Sequence, residues 1–97
     1  METYVIQRRG GWRTADELRA AVARARAELE WASDDLAWIR SYVLTETDGT
    51  FGTVCVYEAT SPEAIRAHAS RAGLPVDEIV KVTDVLVLRP EPVSTPP

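Results

Sequence analysis

The chain holds one cysteine and one histidine in 97 residues. A lone cysteine cannot close an intramolecular disulfide, and it excludes a paired-cysteine zinc site. A lone histidine without a partner motif gives little ground for a Ser-His-Asp or Cys-His triad. Positive charge is also scarce: the net charge is −4. The basic residues are mostly arginines interleaved with acids along one segment, which argues against a nucleic-acid partner. Neither "RRGGW" nor "DGTFG" contains the phosphate-cradling GxxxxGK[ST] pattern. No apolar run approaches the roughly 20 residues that cross a bilayer. The opening "METYVIQRR" lacks the basic-then-apolar layout of a signal peptide, so a cytoplasmic protein is expected.

What is present suits a single small domain with an ordinary globular composition, 45% hydrophobic and 27% charged. "TYVIQRR" reads as a strand, and "GG" at 10 and 11 breaks it. Thr14 and Glu17 form a capping box ahead of an apolar face made by Leu18, Val22, Ala25 and Leu29. The spacing predicts a helix from 15 to about 32, its outer side laced with Arg and Glu. "LAWIRSYVLTET" and "TFGTVCVYEA" are strands joined through Asp-Gly, a hairpin signal. Ser61 and Pro62 start a second helix, and Gly73 ends it. "EIVKVTDVLVLRP" supplies the last strand, through Leu88. "RPEPVSTPP" follows, with a disordered proline-rich tail expected over 90–97 after a domain spanning 1–89.

The order β-α-β-β-α-β is the ferredoxin-like α+β arrangement: a four-stranded antiparallel sheet with two helices on one face. Its strands carry large side chains on both parities. Trp38 and Tyr42 alternate with Ile39 and Val43, and Cys55 and Tyr57 with Val54 and Val56. A second face that is this apolar needs a cover, and a twofold copy is the simplest one. A homodimer is expected.

"WIRSYV", then "VCVYEATSPEAIRAHASRAGLP", with "YVIQR" at the start, resembles a family of small bacterial nickel-binding proteins. The resemblance covers roughly residues 3–88 and implies a dimeric α+β barrel and binding of nickel or a related divalent metal. It places ligands at the glutamate closing the third strand, Glu58, and at the helical histidine, His68. It further implies a glutamate where this chain has Gln7, and a histidine where it has Arg40. An amide is a weak ligand for nickel and a guanidinium is none. Arg40 is able instead to form a bidentate pair with Glu58.

His68 shares the apolar face of its helix with Ile65 and Ala72, so it serves either as a ligand or proton carrier near Glu58 or as a half-buried histidine bonded to a carbonyl. Glu58 falls on the parity of Val54 and Val56, and calls for a partner if it is buried. Cys55 between valines reads as core, with a metal role as the alternative. The metal-site set is therefore Glu58, His68, Cys55 and Gln7. A competing reading is a cofactor-independent monooxygenase, isomerase or cyclase acting on a small aromatic or polyketide-like substrate. There the pocket sits between sheet and helices, walled by Trp38, Tyr42 and Tyr57, with Trp12 a further aromatic candidate; Arg40 holds an anionic oxygen, and His68 or Glu58 moves a proton. That reading rests on fold analogy.

Overall fold

A computed structural model describes residues 1–32 and 34–89. Strand β1 runs Glu2–Trp12, helix α1 Ala15–Glu28, β2 Leu36–Thr45, β3 Phe51–Ala59, helix α2 Pro62–Ala72 and β4 Glu78–Lys81. The strands form one antiparallel sheet in the order β2-β3-β1-β4, which is the ferredoxin-like order. The expected proline-rich tail, 90–97, lies outside the described residues.

The local signals act as their chemistry dictates. Thr14 Oγ1 accepts from the Glu17 amide, while the Glu17 carboxylate accepts from the Arg13 amide, closing α1 at its N-terminus. Ser61 caps α2 in the same way, with Pro62 at the first helical position, where a missing N–H costs nothing. Gly73 ends α2 at φ 69°, a conformation that strains any other residue. Between β2 and β3, Gly49 takes φ 85° and Asp48 accepts from the Thr50 amide, which fixes the turn. The first helix departs slightly from expectation: its last turn, Leu29–Trp31, tightens into a 3-10 helix.

Both helices cover one face of the sheet. Tyr4, Ile6, Cys55 and Tyr57 point into that layer and meet Ile65 of α2. A second cluster joins Trp12 to Leu18 and Ala21 of α1. Each large aliphatic side chain buried there contributes about 1.5–3 kcal/mol. The opposite face carries Thr3, Val5, Gln7, Val54, Val56 and Glu58 by strand alternation, and no helix packs on it.

The sequence pattern misplaces two features. β2 holds an extra residue: Trp38 pairs with Tyr57 and Arg40 with Val56, leaving Ile39 as a bulge. Trp38 and Tyr42, which share one parity, are therefore on opposite faces. The bulge turns Trp38 and Ser41 toward the helices and leaves Arg40 and Tyr42 on the open side. The last strand also stops at Lys81 rather than continuing to Leu88. Antiparallel pairing matches Lys81 to Tyr4, and the Val82 amide bonds the Thr3 carbonyl. Beyond that point β1 has almost no residues left to pair, so Val85–Leu88 overrun the sheet.

Candidate functional site

The side chains singled out in the sequence divide between the two faces. Glu58 and Gln7 stand on the open face, with Arg40 and Tyr42. Cys55, Tyr57 and His68 are buried on the helix side, and Trp38 packs partly buried against them. The expected meeting of Glu58 with His68 does not occur, because the sheet lies between them. Glu58 follows Tyr57 in β3, and alternation sends the two side chains to opposite faces. Among the described residues no three His, Cys, Asp or Glu side chains gather to hold a metal ion.

His68 has a structural partner instead. Its Nε2–H donates to the Ala25 carbonyl at 2.8 Å, tying α2 to the last turn of α1. That leaves Nδ1 as a buried acceptor without a donor. Burial holds the imidazole below its ordinary pKa, and the nearby Arg71 and Arg8 charges act in the same direction. Stability then depends on pH. The unfolded chain takes up a proton near pH 6.5, while the folded histidine resists it. His68 therefore stabilises fully above that pH, and its contribution fades as pH falls toward the depressed folded value. The unfolding free energy from urea titration is expected to drop between pH 7 and pH 5, by up to about 1.4 kcal/mol per pH unit from this group. His68→Gln should flatten that segment, and an unchanged slope in the variant would show that other groups are responsible.

Around His68 the interior is unusually polar. Tyr57 stacks on Trp38 with centroids 5.5 Å apart and lies 6.2 Å from the His68 ring. Burial pushes the Tyr57 phenol up to about 12 against the pull of the nearby Arg8 guanidinium, so it stays protonated, and its hydroxyl reaches no partner at hydrogen-bond geometry. Trp38 Nε1–H donates to Ser41 Oγ, and Ser41 donates to Cys55 Sγ at 2.9 Å. The sulfur also accepts from Arg8 Nη1 at 3.1 Å, which makes Cys55 an engaged core residue. Sequence reading overlooked Arg8. The signal was its parity: Arg8 continues the inward row of Tyr4 and Ile6, where an arginine is unexpected.

On the open face Arg40 lies across from Val56, one step along the strand pair from Glu58. Gln7 lies across from Val54, on the other side of β3. Three of the four positions to which the family resemblance assigns ligands therefore share this face: 7, 40 and 58. The same face bears a broad hollow of about 730 Å³, bordered by Val5, Arg40, Tyr42 and Val56 and by the Val85–Leu88 run. A nickel ion has poor donors here. One carboxylate, one amide and a guanidinium do not complete a coordination sphere.

Comparison with known proteins agrees with the fold. The structure of SCO4226 from Streptomyces coelicolor A3(2) superposes with a TM-score of 0.66 and 23% identity, over 87% of this chain and 99% of that one. Rv0793 from Mycobacterium tuberculosis is 15% identical, with a TM-score of 0.41 over 92% and 100% of the two chains. SnoaB, a cofactor-independent oxygenase from Streptomyces nogalater, is 20% identical, with a TM-score of 0.44 over 89% and 94%. A comparison with curated protein sequences finds no match. Residues 4–82 match the family described as "Nickel responsive protein SCO4226-like", and the chain belongs to that family.

Proposed function

We propose that this chain works as a cytoplasmic homodimer in which the open sheet face is the ligand-binding surface, with divalent-metal affinity reduced to what Glu58 and Gln7 provide. One observation carries the reading. Positions 7, 40 and 58 share the open face on adjacent strands, whereas His68 lies under the other face and is already bonded. Membership of a nickel-responsive family supports metal as the ancestral ligand. Arg40 places a fixed positive charge beside Glu58, which opposes a cation there.

The dimer reading is supported by two exposed apolar stretches among the described residues, both bordering the same hollow. The open face is one. The other is Val85–Leu88, exposed at 67%, 82%, 73% and 94%, an apolar run that overshoots the end of β1. A twofold axis covers both at once, since each copy offers what the other lacks.

Calorimetric titration of untagged protein with Ni²⁺ tests the metal assignment. Weak binding is expected in the native chain, lost in Glu58→Ala and retained in His68→Ala. The double change Gln7→Glu with Arg40→His should tighten nickel at least about tenfold, by replacing non-ligands with ligands. Binding that survives Glu58→Ala but not His68→Ala would overturn the assignment.

A second reading is favoured by the hollow itself. Its volume falls within the range of small-molecule sites. Arg40 and Tyr42 on its floor suit an organic anion with an apolar body, as a cofactor-independent enzyme of the monooxygenase, isomerase or cyclase type would use. Trp38 and Tyr57 do not border this hollow; they lie on the helix side, where the sequence reading set the pocket.

A further inference from the structure

Arg8 carries a charge that has no counter-ion among the described residues. Its side chain is 1% exposed. Nε donates to the Pro75 carbonyl at 2.7 Å and Nη1 to Cys55 Sγ, while Nη2 has no partner. None of the ion pairs among the described residues includes Arg8. A guanidinium stays protonated in any protein, so a full positive charge is withdrawn from water here. An isolated buried charge is among the costliest arrangements a fold can contain.

The neighbourhood offers a place for what is missing. Thr53 lies opposite Arg8 across β1 and β3, is buried, and has an Oγ1 without a partner. Arg8, Thr53, Ser41 and Cys55 border a small, partly open cavity of about 30 Å³, walled elsewhere by apolar side chains including Trp12 and Trp38. That is room for one or two water-sized particles, and too little for a tetrahedral oxyanion. A water molecule answers the unused hydrogen bonds but leaves the charge. A small anion answers both.

We propose that the void beside Arg8 binds a monatomic anion of halide size, held by Arg8 Nη2–H and the Thr53 hydroxyl. The site lies between sheet and helices, on the far side of the sheet from Glu58 and Arg40, and so is independent of the reading given above for the open face. Occupancy would stabilise the folded chain, since the unfolded chain has no such site.

Thermal unfolding of the full chain in increasing sodium bromide tests this, with ionic strength held constant by sodium gluconate. The midpoint is expected to rise by about 7 °C per tenfold increase in bromide above its dissociation constant. Arg8→Met, which keeps length and removes charge, should abolish the rise, and Thr53→Val should reduce it. Crystals of the native chain soaked in bromide should show an anomalous peak beside Arg8, a readout that stands even if Arg8→Met fails to fold. A flat bromide response in the native chain, or soaked crystals without that peak, would overturn the proposal.

Discussion

Tyr57→Ala is expected to remove about 3–5 kcal/mol of stability, a loss that a domain of this size survives poorly. The ring is fully buried, stacks on Trp38 across β2 and β3, and touches the layer that contains Ile65 and His68. Truncation therefore opens a cavity at the centre of the sheet–helix interface, where neighbours from two strands and a helix cannot all collapse inward. Tyr57→Phe is expected to behave very differently. The hydroxyl is buried without a hydrogen-bond partner, so its removal deletes an unsatisfied group and should change stability by about 1 kcal/mol or less, in either direction. Chemical denaturation of both variants checks the pair. A costly Tyr57→Phe would mean that the phenol is hydrogen-bonded within the fold.

Val56→Asp is expected to dissociate the proposed homodimer while leaving the protomer folded. Val56 lies in the middle of the open face, between Val5 on β1 and Arg40 on β2. In the proposed dimer a carboxylate there would be withdrawn from water. A twofold interface repeats every substitution, so each association event meets the penalty twice. Even about 2 kcal/mol per copy raises the dissociation constant about a thousandfold. Circular dichroism should remain native, because no helix packs on this face. Loss of fold without a change of assembly would show that Val56 belongs to the protomer core instead.

Local signals in the sequence suffice for the architecture, since each depends on adjacent residues only. The Thr14–Glu17 box, Ser61–Pro62, Asp48–Gly49 and Gly73 each mark a boundary the structure keeps. The site is harder to read because it depends on which parity faces the helices. Glu58 was correctly grouped with Val54 and Val56, and His68 with the inward side of α2. Those two assignments place them apart, because the helices cover the Cys55–Tyr57 parity. The bulge at Ile39 carries no distinctive residue, so simple alternation assigned Trp38 and Tyr42 to one face. The run through Leu88 has every property of a strand except a pairing partner among the described residues. Arg8 was passed over because β1 looks amphipathic only as far as Ile6.

Sedimentation equilibrium on the unmodified 97-residue chain tests most directly whether the open face is closed by a second copy. A mass of twice 10.7 kDa at micromolar concentration is expected. A stable species of 10.7 kDa across the same range would contradict it, leaving the hollow and the Val85–Leu88 run in contact with water.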